Sequence, residues 1–157
     1  MEECLFLVRY TLPIMGYNTC MSRSRLLSIL AVLVCLIALL HFTAMAFYLY
    51  WTLWWYDIIL HFLGGAFVGL LALWLRYFSG YAGIADSSRA RSALYFVLCA
   101  TLGIGIGWEV FERLLGLTYS VEGYVFDTSI DLLMDCLGSL VAFQLCKRTL
   151  TPYESNT

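Results

Sequence analysis

From Leu26 to Tyr50 the chain reads LLSILAVLVCLIALLHFTAMAFYLY, twenty-five residues without Asp, Glu, Lys or Arg. The hydrocarbon core of a bilayer is crossed by about 20 apolar residues in helical form. Lipid offers the backbone no hydrogen-bond partners, so a block of this length must satisfy its own amides as a helix. Three further blocks follow, from about Trp55 to Leu75, Leu94 to Leu117 and Thr128 to Cys146. Pro13 and Pro152 are the two prolines and both fall outside the blocks, so no span needs a kink. The expected fold is all-α: a polytopic membrane protein with four transmembrane helices in one bundle.

Composition agrees with this reading. The 157 residues are 62% hydrophobic and 13% charged, against about 25% charged in a soluble domain. With no linker or low-complexity tract, one domain is expected, its membrane part spanning 26–148. Residues 1–25 read as a cytoplasmic or interfacial extension broken by Arg9 and Pro13, or as sequence upstream of a start at Met21, and 149–157 read as a cytoplasmic tail. The first apolar block outruns the core of a secretory signal and no small-residue cleavage site follows it, so it reads as a retained span.

Basic residues orient the bundle. Arg23 and Arg25 precede the first span, Arg76, Arg89 and Arg91 lie between the second and third, and Lys147 and Arg148 follow the fourth. The other two connections hold Glu122 but no Lys or Arg. The positive-inside rule then places both termini in the cytoplasm. Seven of the ten residues from Phe47 to Tyr56 are aromatic, as expected where a tight outer turn meets the headgroups. Cys4, Cys20, Cys35, Cys99, Cys136 and Cys146 show no paired spacing and read as small buried side chains rather than a disulfide or metal set.

An ionised side chain at the centre of a membrane helix costs roughly 2.5 to 3.5 kcal/mol on insertion scales, so those inside the blocks need a reason. Asp57 and His61 are four apart near the start of the second span, and Glu109 and Glu112 are three apart near the end of the third. Asp131 and Asp135 are four apart near the start of the fourth. Each pair shares a helix face, and a rise of 1.5 Å per residue brings all three to a similar level, about 8 to 12 Å below the outer boundary. One polar cavity open to the outer face is expected. Gly64, Gly65 and Gly69, Gly103, Gly105 and Gly107, and Gly138 with Ala142 have the small-residue spacing that lets membrane helices approach closely.

Structural roles compete for several of these residues. Thr128 to Asp131 has the form of a capping box, and Asp127 is placed to cap the same helix. Glu109 has a partner four residues on in Arg113, and His41 reads as a lone satisfied histidine. For the set as a whole, several carboxylates with an imidazole suit Mg²⁺, Mn²⁺ or Ca²⁺ better than structural zinc. A divalent ion there would attract a phosphate that the acidic groups alone would repel. The expected metal ligands are Glu109, Glu112, Asp131 and Asp135. The expected catalytic residues are His61 as general base or nucleophile, Asp57 holding its tautomer, and Glu109. Asp127 and Arg113 complete the set as substrate contacts.

The stretches that carry these residues, DIILHFLGG (57–65), WEVFE (108–112) and DTSIDLLMDCLG (127–138), resemble the three signature helices of the YjdF-type inner-membrane proteins and, more distantly, of the VanZ-like proteins. The match covers roughly Tyr56 to Ala142. The resemblance implies a multi-pass protein of the cell inner membrane that processes phosphate-linked lipid head groups, with His61, Glu109, Glu112, Asp131 and Asp135 as the shared polar set. This chain departs from the VanZ-like pattern at Asp135, where Asn is common, and it is shorter than typical YjdF-type proteins. Membrane lipids are the expected partners, nucleic acid is not, and a small bundle is compatible with a homo-oligomer. A cation or proton transporter and a purely structural scaffold are the alternative readings.

Overall fold

The computed structural model describes residues 23–79, 89–115 and 123–150. Met21, Cys4, Cys20, both prolines, Glu122 and nearly all of the expected N-terminal extension lie outside the described residues. Four long helices dominate the described residues: α1 (Arg23–Phe47), α2 (Tyr56–Leu73), α3 (Arg89–Leu115) and α4 (Tyr124–Leu150). Helix α2 runs on through one π-helical turn, Trp74–Phe78. Each helix is long and apolar enough to cross a membrane, and no strand occurs among the described residues. The protein is an all-α polytopic membrane bundle, as its apolar blocks predict.

The helix ends refine that picture. Helix α1 stops at Phe47 because Tyr48 turns into the left-handed region, φ 56°, a conformation that costs an L-residue about 1–2 kcal/mol. The chain reverses there through a single helical turn, Leu49–Thr52, whose Leu53 amide donates to the carbonyl of Leu49 at 2.9 Å. Helix α4 begins at Tyr124, a full turn before the expected Thr128. Thr128 and Asp131 therefore lie inside the helix, and the capping box read from T-S-I-D is not formed. Asp127 sits in the first turn, where a carboxylate complements the positive end of the helix dipole.

Helices α2, α3 and α4 pack on one another in a triangle, while the backbone of α1 comes close to that of α2 but not to those of α3 and α4. Among the described residues no Cα of α1 comes within 8 Å of α3 or α4. At the basic end of the bundle a sealed core forms from Leu26, Leu73, Val97, Phe143 and Cys146, one or more from each helix. Within a bilayer such a core gains van der Waals contact rather than release from water. The arginines of this end are held by aromatic faces: Arg23 lies 5.8 Å from the Trp74 ring and Arg76 lies 4.7 Å from that of Phe96. Arg23 also donates to the Ser79 carbonyl at 3.3 Å. Large exposed side chains such as Val32, Leu39 and Phe42 on α1 form the lipid-facing surface.

Two expectations about small residues need correction. Cys146 is buried, but Cys35 and Cys99 are exposed on the bundle's outer surface, and none of the four described cysteines forms a disulfide. Gly103 and Gly107 likewise face open space. The close approach is made by other glycines. A Cβ on Gly65 would overlap the backbone of Asp135, and one on Gly138 would overlap the carbonyl of Phe62, so α2 and α4 touch backbone to backbone.

Candidate functional site

That α2–α4 contact builds the polar site. Gly65 lies against the backbone of Asp135, which puts the Asp135 carboxylate beside His61, one turn earlier on α2. The missing side chain of Gly105 on α3 leaves room for the same carboxylate, whose Oδ2 would sit 2.5 Å from a Cβ there. Glycine at these positions is required by space rather than by backbone conformation. Five residues of the three sequence pairs are thereby drawn into one cluster at the end of the bundle opposite the sealed core, with Glu112 beside it.

His61 is at its centre. Its Nδ1 lies 3.5 Å from Asp135 Oδ1, and its Nε2 lies 3.9 Å from Asp57 Oδ2, 3.9 Å from Glu109 Oε1 and 4.0 Å from Asp131 Oδ2. His61, Glu109, Asp131 and Asp135 are all buried, and Asp57 is half-buried. Thr128 Oγ1 donates to Glu109 Oε2 at 2.7 Å, which explains why Thr128 belongs inside the helix. The other oxygen, Glu109 Oε1, is buried without a hydrogen-bond partner. One imidazole thus faces four carboxylates in a largely buried pocket, a donor set that could take up protons or a cation.

The distances around Nε2 bear on whether an ion could be held there. At 3.9 to 4.0 Å they are too long for hydrogen bonds. One ligand atom each from Asp57, His61 and Asp131 falls within 4.8 Å of the others. Ligands at about 2.0–2.6 Å from a shared Mg²⁺, Mn²⁺ or Ca²⁺ stand roughly 3 to 5 Å apart, so the spacing fits atoms arranged around one ion. Glu109 Oε1 lies 3.9 Å from His61 Nε2 but outside that three-residue group.

The remaining predicted residues take places around this centre. Glu112 lines the adjoining cavity with its Oε1 accepting from Trp108 Nε1 at 2.8 Å. Arg113 lies over the Tyr124 ring at 4.2 Å, joining the end of α3 to the start of α4. The contacts of Glu109 are with Thr128 and His61, so the Glu109–Arg113 pair is not formed. Asp127 is exposed. Neither Arg113 nor Asp127 is among the groups that surround His61.

A cavity of about 320 Å³ opens beside the cluster and reaches His41 on α1. His41 is satisfied, as expected, with Nδ1 2.7 Å from the Tyr50 hydroxyl, yet both residues line the cavity. Burial first, then the nearby Asp57 and Glu112, push the Tyr50 phenol far above its ordinary pKa, so it keeps its proton. Tyr56 ties the same corner together by donating to the Leu40 carbonyl at 3.0 Å. Tyr50 was not legible as a site residue because it sits among aromatics that the interface alone explains.

A family model described as "Predicted membrane protein (DUF2238)" matches residues 2–152. Comparison with curated proteins and with solved structures gives no significant match. The match spans all four helices and every residue of the cluster around His61, and the chain belongs to the DUF2238 family of predicted membrane proteins.

Proposed function

We propose that this protein is a metal-assisted membrane enzyme that hydrolyses or exchanges phosphate-linked lipid head groups at the outer boundary of a cell inner membrane. The observation that carries the reading is the ring around His61 Nε2: three carboxylate oxygens at 3.9 to 4.0 Å, one of them buried without a partner. Likeness to the YjdF-type and VanZ-like signature helices supports the same substrate class. One nitrogen among several oxygens favours Mn²⁺ within the set Mg²⁺, Mn²⁺ and Ca²⁺.

The geometry suggests a division of labour different from the one expected from sequence. With Nε2 enclosed by three carboxylates, His61 acts as a ligand, and Asp57, Glu109 and Asp131 complete the set. Asp135, at Nδ1, becomes the positioning residue that holds the ring. When bound, the ion would neutralise the cluster and polarise a phosphoryl oxygen. The carboxylate left facing the cavity is Glu112, steadied by Trp108. In hydrolysis, Glu112 takes a proton from the attacking water, whose oxygen bonds to phosphorus. The P–O bond to the leaving group breaks, and the leaving oxygen recovers the proton from Glu112. In exchange, an alcohol replaces the water.

A transporter needs a path through the bilayer, and the core around Leu73 and Val97 closes the opposite half. That favours chemistry over conduction. Purified protein incubated with labelled lipid extract and Mn²⁺ should release or exchange a head group. His61→Ala should abolish turnover and Mn²⁺ binding together, whereas Glu112→Gln should abolish turnover and keep the ion. No turnover of any lipid class with Mg²⁺, Mn²⁺ or Ca²⁺ would overturn the proposal.

A further inference from the structure

The cavity beside the cluster has two unlike ends. Near the acidic end it is bounded by Asp57, His61, Glu112 and the His41–Tyr50 pair. Deeper in the bundle its walls are Val34 and Ile37 on α1, Val68 on α2 and Ile104 on α3. These positions continue the polar faces at helical spacing: His41 is seven residues after Val34, Val68 seven after His61, and Trp108 four after Ile104. From Asp57 to Val68 the lining of α2 extends about 16 Å, close to half of a hydrocarbon core about 30 Å thick.

The cavity is also open at its side. Helices α1 and α3 flank it without backbone contact, and two of its apolar wall residues, Val34 and Ile104, are 45% and 56% exposed. In a membrane this opening faces acyl chains, not water. A water-soluble substrate would meet an apolar wall over most of that depth. A lipid would place its chain along Val34, Ile37, Val68 and Ile104, with its phosphate at the level of His61 and of the His41–Tyr50 hydrogen bond.

We infer that the cleft between α1 and α3 seats a hydrocarbon chain of an anionic phospholipid, which enters sideways from the bilayer and presents its head group to the His61 cluster. The fate of the head group rests on the enzyme reading above; the seat for the chain does not. The volume of about 320 Å³ lies at the small end of the roughly 300–1,000 Å³ range of ligand sites. It accommodates a head group and part of one chain, with the rest left in the bilayer.

The test uses full-length protein in nanodiscs and phosphatidic acid carrying a diazirine partway along one chain. Irradiation should label peptides containing Val34–Ile37 and Ile104, and excess unlabelled phosphatidic acid should displace that labelling. Val68→Trp, which fills the cavity, should lower labelling at least tenfold with Mn²⁺ binding unchanged. Ile104→Trp provides the same test from a partly exposed position that a large side chain can occupy without disturbing the bundle. Labelling confined to outward residues such as Leu39 and Phe42, undisplaced by competitor and unaffected by either substitution, would mean that the protein meets bulk lipid only and would overturn the inference. Displaceable cavity labelling without head-group turnover would support the chain seat while removing the enzyme reading.

Discussion

At the scale of single residues, the informative group is Glu109. Its Oε2 is held by Thr128 and its Oε1 has no partner although the residue is only 4% exposed. Leaving a carboxyl oxygen bare in a buried site is costly, and a cation held there would complete it. Glu109→Gln removes one of four crowded charges. The metal-free protein should then melt at a higher temperature, while the stabilisation by Mn²⁺, about 2.7 kcal/mol for a native site at a hundredfold excess over Kd, should largely disappear. Asp135→Asn should act differently, because Asp135 orients the imidazole from Nδ1: Mn²⁺ affinity should fall about 10- to 100-fold with the ion still bound. Thermal melts in detergent with and without Mn²⁺, alongside calorimetry, check both outcomes. Lower metal-free stability in Glu109→Gln, with no loss of metal response, would instead fit a scaffold held by polar contacts. All six paired residues were legible from i,i+3 and i,i+4 spacing; five of them meet at the His61 cluster and Glu112 lines the cavity beside it. Their roles were not, because the direction each imidazole nitrogen faces depends on helices far apart in sequence.

At the scale of elements, the decisive contact is α2 against α4, and its glycines separate into two classes that spacing alone cannot distinguish. Gly65 and Gly138 lie where a Cβ would collide with the opposing backbone, whereas Gly103 and Gly107 point to open space. Gly65→Ala and Gly138→Ala should each cost about 1–3 kcal/mol by forcing the helices apart. Gly103→Ala and Gly107→Ala should be neutral or stabilising by up to about 1 kcal/mol, as alanine is the better helix former. Thermal unfolding of the four variants in one detergent reads the difference, and equal effects in both classes would remove the backbone contact from the account. Helix starts show a similar limit. Thr128 has the local pattern of a cap, but its hydroxyl is taken by Glu109, nineteen residues away. The preceding Tyr124 and Phe126 extend the helix into what reads as a polar, aromatic turn. The four spans themselves were legible because lipid leaves a long apolar block only one way to satisfy its backbone.

At the scale of the whole molecule, the bundle is asymmetric along its axis. One half is packed shut around Leu73, Val97 and Cys146, and the other opens into a cavity beside buried charge. Apolar blocks and basic flanks predict four crossings and their orientation. They cannot predict that the backbone of α1 is set apart from those of α3 and α4, since nearly every residue on α1 is apolar whether it faces lipid, core or cavity. The separation matters because it leaves the cavity a side entrance within the bilayer. The enzyme reading of the open half depends on whether the cluster around His61 binds a divalent ion. Calorimetric titration of the purified protein with Mn²⁺, compared with His61→Ala, measures this directly. The account predicts one ion per chain for the native protein and none for the variant; absence of binding to the native protein, or equal binding to both, would contradict it.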